Sequence, residues 1–126
     1  IRQIDNRVNY EELQDELIDR FGEYPDVVAY LLEIGLAKAY LDKVFVNRVE
    51  RKNNKLVIQF EKISQQLFLT QDYFQALSHT NLKANISENQ GLIEVVFDIR
   101  NKKDYEILEG ILTFGESLAK IKESKE

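Results

Sequence analysis

"KVFVNRVERKNNKLVIQF", residues 43–60, decides the fold, because the apolar period changes inside it. From Val44 onward the period is two, and two β-branched runs, 43–52 and 55–60, flank the pair Asn53–Asn54. Alternation about a two-residue polar break is the signature of a β-hairpin, since successive strand side chains point to opposite faces. The chain on either side must supply what covers such a hairpin.

Upstream the spacing is helical. Tyr10, Leu13, Leu17 and Phe21 recur at three- and four-residue intervals. Asn9 is the expected N-cap, with Glu12 completing a box-like pattern. Gly22 is the expected left-handed stop, and Pro25 suits the first turn of a second helix running to about Asp42. Val27, Val28, Leu31, Leu32, Ile34, Leu36, Ala39 and Leu41 make that helix apolar around most of its circumference, which predicts a place at the centre of the fold. Residues 1–8 read as a lead-in and 9–42 as a helical hairpin. Downstream, 70–79 predicts a short helix capped by Thr70. Residues 82–89 and 91–100 predict a second hairpin around Asn89–Gly91. From Lys103 to Lys122 an amphipathic helix is expected, with a stripe of Tyr105, Leu108, Ile111, Leu112, Leu118 and Ile121. The order ααββαββα is an α+β fold, an antiparallel four-stranded sheet covered by helices, with 43–126 as its ββαββα part.

At 126 residues the chain is expected to be one domain, large enough to bury a core without staples. No run approaches the ~18 apolar residues of a membrane span, and no signal peptide opens the chain. With no cysteine, disulfides and thiolate metal sites are excluded and a cytoplasmic setting is expected. Methionine is absent too, and the chain begins at Ile1, which suggests a fragment cut from a longer protein. The net charge of −5 is unevenly placed. Residues 1–33 hold nine acids against three arginines, while the rest hold 13 acids and 14 bases. Such asymmetry speaks about a partner's sign.

Catalytic chemistry is thinly supplied. His79 is the sole histidine, near a helix end where it offsets the dipole. No phosphate-cradling glycine pattern occurs. Glu12, Asp15, Glu16 and Asp19 lie on a regular helix and not on a ligand-wrapping loop, so no calcium site is expected. No catalytic, cofactor or metal residue is therefore assigned. Arg48, Arg51, Lys52 and Lys55 flank the Asn53–Asn54 turn, with Arg100, Lys102 and Lys103 at another loop. Without aromatic interleaving and with a pI near 5, these read first as solvated tips, and direct DNA binding is not expected. A nucleic-acid-binding appendage using them is the alternative function. The acidic face is the stronger signal. The pairs 12/15, 12/16, 15/19 and 16/19 are like-charged at helical spacing, each unfavourable by about a few tenths of a kcal/mol. An exposed face can tolerate that cost, but a basic partner would repay it.

The run "ELIDRFGEYPDVVAYLLEI", residues 16–34, resembles the start of the C-terminal domain of the bacterial transcription-repair coupling factor. Its element order is similar over about residues 8–122, with the specific match over about 10–36. It departs at 33–44, where family members often carry a more basic second half of the helix. The resemblance implies a non-catalytic, autoinhibitory domain of a cytoplasmic DNA-repair protein. That domain would dock on the N-terminal repair-helicase-like module of the same protein and mask its surface for the damage-recognition ATPase. RNA polymerase would be reached only through the parent, whose DNA-translocase motor would use ATP and magnesium; this domain would need no cofactor. By motif position the docking acids would be Glu16 and Asp19, supported by Glu12 and Asp15. Arg20, Phe21, Gly22 and Pro25 would be the structural part of the motif.

Overall fold

The computed structural model describes residues 7–21 and 26–126, and the side chains of 7–16 and 29–126. Two helices come first, α1 (Arg7–Phe21) and α2 (Asp26–Lys43), then the strands β1 (Val46–Lys52) and β2 (Lys55–Phe60). A four-residue helix α3 (Ser64–Leu67) precedes α4 (Thr70–Leu77). The strands β3 (Lys83–Asn89) and β4 (Leu92–Asp98) and the long α5 (Asp104–Ser124) complete the order. The α+β class is as read from the sequence, with α3 an addition: four residues are too few to leave a helical period.

All four strands form one antiparallel sheet in the order β1-β2-β4-β3. Both hairpins close through two residues. Lys52 pairs with Lys55 across Asn53–Asn54, and Asn89 with Leu92 across Gln90–Gly91. Gln90 and Gly91 both take positive φ (53° and 83°), the mirror-image turn whose twist matches its strands. β1 starts at Val46, later than its alternation suggests, because Phe45 turns the chain at φ 64° while its carbonyl accepts from the Glu61 N–H at 2.8 Å.

Alternation then sorts the sheet's two faces. Leu56, Ile58 and Phe60 of β2 and Val95 and Phe97 of β4 point inward and are buried. Phe114 of α5 sits over them in edge-on contact with Phe60 and Phe97, at centroid distances of 6.2 and 5.5 Å. Tyr73 of α4 meets Phe60 in the same way at 5.2 Å. Behind α5 packs α2, where Gly115 admits Tyr40 and Leu41; a Cβ at that glycine would lie 3.2 Å from each. The outer face keeps half-buried Val57, Gln59 and Val96, with exposed Asn85 and Ser87. Even there the buried Glu94 is satisfied, accepting from Gln59 Nε2 at 2.9 Å and Asn89 Nδ2 at 3.4 Å.

Four expectations need correction. α1 begins at Arg7, so Asn9 is inside the helix and is not its cap, and the lead-in loses Arg7 and Val8. Thr70 is the first helical residue of α4; Leu69 precedes it with its N–H donated to Asp72 at 2.8 Å, so the capping acid lies at the third position. α2 is not central. Leu31 is 60% exposed and Tyr30 and Ile34 about two-fifths exposed, while Phe114 of α5 is the residue seated on Phe60 and Phe97 of the sheet. Of the expected α5 stripe, Leu108, Leu112 and Leu118 are buried and Ile111 and Ile121 half-buried, but Tyr105 is exposed, and Ile107 and Phe114 join the buried side.

Candidate functional site

The acids of α1 take their direction from what its other side is tied to. At the start of the helix, the Arg7 N–H donates to Tyr40 Oη at 2.8 Å. The Arg7 guanidinium grips Glu116 of α5 with two bonds, Nε to Oε2 at 2.8 Å and Nη2 to Oε1 at 3.1 Å. Tyr40 Oη donates to the same carboxylate at 3.4 Å. A bidentate guanidinium–carboxylate pair is directional as well as strong, so it fixes the start of α1 against both α2 and α5. Arg7's hydrogen bonds hold the Glu116 carboxyl below its ordinary value, against the effect of partial burial. Burial pushes the Tyr40 hydroxyl up.

With Tyr10 and Leu13 buried one turn later, the rotation of α1 is set. At about 100° per residue, Glu11, Glu12 and Asp15 fall on the opposite arc, and all three are exposed. Glu16 is half-buried on the flank, nearer to the packed side than Asp15. Asp19, Arg20 and Phe21 occupy the last turn of α1, with their side chains outside the described residues, and Gly22 and Pro25 lie outside them altogether. Three of the four expected docking acids are thus placed by the structure, two on the outward arc and one beside it.

Arg7, Tyr40 and Glu116 were not found from the sequence. Their contacts span 33, 76 and 109 residues, and nothing in local spacing marks them.

The basic tips divide into paired and unpaired. Arg51 pairs with Asp104 at 3.4 Å, Lys102 with Glu106 at 3.8 Å, and both Arg48 and Lys52 reach Glu50 at 3.7 Å. Lys55, Arg100 and Lys103 make no ion pair among the described residues. His79 is exposed beside a shallow groove between α4 and α5, lined also by Gln75, Ser117 and Lys120. Among the described residues no three acids or histidines gather as metal ligands, and no helix is long and apolar enough to cross a membrane.

Residues 1–70 match the family model described as the TRCF domain. No curated protein matches the chain at a significant level. A solved structure described as the crystal structure of the C-terminal domain of transcription-repair coupling factor superposes with a TM-score of 0.92 at 81% identity. That alignment covers 98% of this chain and 77% of the other.

Proposed function

From the premise that this chain belongs to the TRCF family, as the C-terminal domain of a transcription-repair coupling factor, we propose that it acts as a non-catalytic clasp. In this reading the acidic arc of α1 docks on arginines of the N-terminal repair-helicase-like module of the same cytoplasmic protein. Docking covers that module's surface for the damage-recognition ATPase until the factor engages RNA polymerase. The ATP and magnesium chemistry belongs to the motor elsewhere in the parent, and this domain contributes contact and control.

One observation carries the reading. α1 is held by Arg7, Tyr10 and Leu13 so that Glu11, Glu12 and Asp15 face solvent together. Like charges aligned on one arc repel, and a complementary basic surface removes that penalty while steering association. Glu16, half-buried on the flank, is already partly withdrawn from water, so a contact covering it would complete its desolvation.

The test uses the intact factor with Glu16→Lys and Asp19→Lys together. Truncating one side of a desolvated charge pair costs about 2–5 kcal/mol. The double reversal should therefore raise affinity for the damage-recognition ATPase by tenfold or more. The isolated 126-residue chain carrying the same changes should keep its circular dichroism. Unchanged ATPase affinity in a folded double variant would sink the clasp.

A further inference from the structure

The outer face of the sheet carries a feature that only the strand register reveals. Lys52 of β1 pairs with Lys55 of β2, Lys55 with Asp98 of β4, and Asp98 with Lys83 of β3. Those pairings place three lysines and one aspartate on a single rung across all four strands. Neighbouring strands lie about 4.8 Å apart, so the backbones at Lys55 and Lys83 are about 10 Å apart on either side of Asp98. Arg100 extends the rung past the end of β4, its N–H donating to Asp98 Oδ1 at 3.0 Å.

Lys52 is partly answered by Glu50. Lys55, Lys83 and Arg100 are exposed and make no ion pair among the described residues; Asp98 itself comes within 4.0 Å of neither lysine. Together with Asn54, Asn85 and Val96 they line an open cleft of about 300 Å³. The Ile99 N–H donates to the Asn54 carbonyl at 2.9 Å, which fastens the β1–β2 turn to the end of β4 and holds the cleft's two sides together.

We infer that this basic rung binds the phosphate backbone of duplex DNA, independently of base sequence and independently of the acidic arc on α1. Charge selects a polyanion, since three free cations face one acid. The rest of the face selects which polyanion. Protein contacts concentrate their energy in aromatic or arginine anchors seated in apolar pockets, and the outward apolar residues of the strands, Val57, Leu92 and Val96, are half-buried aliphatics with no aromatic among them. Single strands are gripped by stacking on aromatic rings, and no aromatic side chain lies among the outward residues of the four strands. What remains is an open, polar, cationic surface suited to contacts with regularly spaced phosphates. In a repair factor that backbone is DNA's.

Fluorescence anisotropy of a labelled 20-base-pair duplex with the whole 126-residue chain tests this. Binding should be measurable at about 20 mM salt and fall steeply by 200 mM, with a log–log slope of about −2 to −4 for three or four phosphate contacts. Lys55→Gln with Lys83→Gln should weaken low-salt binding at least tenfold and reduce the slope by about 1.8. Asp98→Asn should tighten it, a gain that damage to the fold would not produce. Lys120→Glu, at an exposed position of α5, should change neither quantity. Absence of binding at 20 mM salt, or a slope unaltered by the double glutamine variant, overturns the proposal. Equal affinity for a polyglutamate peptide or tighter binding of an RNA duplex overturns DNA as the occupant. So does a dimer, seen by sedimentation, that the double glutamine variant dissolves, since a second copy's acids would then fill the cleft.

Discussion

The acidic arc of α1 and the basic rung of the sheet carry opposite charges on surfaces built in opposite ways. The arc comes from one contiguous segment, and its direction is set from behind by Tyr10, Leu13 and the Arg7–Glu116 pair. The rung takes one residue from each of four strands, and hydrogen-bonded register alone assembles it. A helical face can be swung or loosened as a unit by breaking its few ties. A rung cannot be altered geometrically without unpairing the sheet. The difference suits a releasable contact on α1 and a fixed one on the sheet.

Both surfaces nevertheless depend on a shared core, and the largest expected effect comes from removing its keystone. Phe114 is fully buried against Phe60 and Phe97. Phe114→Ala should lower unfolding free energy by about 3–5 kcal/mol in urea titration. Helix and sheet should unfold together, with far-ultraviolet circular dichroism and tyrosine fluorescence giving coincident transitions. Separate transitions would break the comparison, showing that α1 and the sheet belong to different cooperative units.

A middle-sized effect should separate the two regions by pH. The Glu116 carboxyl is held down chiefly by Arg7. Burial raises the Asp72 carboxyl, but the Lys125 hydrogen bond at 2.6 Å and the Leu69 N–H outweigh it. Both groups have folded-state values below their ordinary 4.5 and 3.8. The stability they contribute is therefore complete above about pH 5 and is lost as pH falls through the ordinary values and then the lowered ones. Arg7 and Lys125 are 40% and 39% exposed, which weakens each pair, so Glu116→Gln or Asp72→Asn should cost about 1–2 kcal/mol at pH 7. Each variant should lose less stability on acidification than the parent. Hydrogen exchange should show Glu116→Gln loosening the start of α1 while β2 and β4 stay protected. Equal loosening of β2 would mean that the tie supports the whole fold and not the arc alone.

How far the sequence discloses these features follows from how local their causes are. Both hairpins were legible because Asn53–Asn54 and the stretch Asn89–Gly91 interrupt strand-like runs, a signal confined to a few residues, and the register narrows the second turn to Gln90–Gly91. The acidic arc was legible because helical spacing needs only one segment. The position of α2 was misread for the same reason. Its all-round apolarity spoke for burial, but α5 holds Phe114 and takes the central place, leaving Leu31 exposed. No residue in α2 announces what a helix beginning at Asp104 will do. Lys83 drew no attention in the sequence, since its neighbours on the rung are 15 and 28 positions away. An acid in the first turn of α4 was legible, but the capping role of Asp72 hid behind Thr70, a residue type with its own strong capping preference.

The smallest expected change bears most directly on what the arc is for. Asp15 is exposed and stands at helical spacing from Glu11, Glu12 and Asp19, all of the same sign. Asp15→Lys replaces three like-charged neighbours with three opposite ones, so the isolated chain should gain about 0.3–1 kcal/mol in urea titration, less at high salt. The same change should weaken docking in the intact factor, and affinity for the damage-recognition ATPase should rise. A stabilising substitution that opens the parent would show that the arc is held at a small cost to the fold for the sake of a contact. Stabilisation without opening would instead leave the acids as tolerated surface, and the comparison would then rest on the basic rung alone.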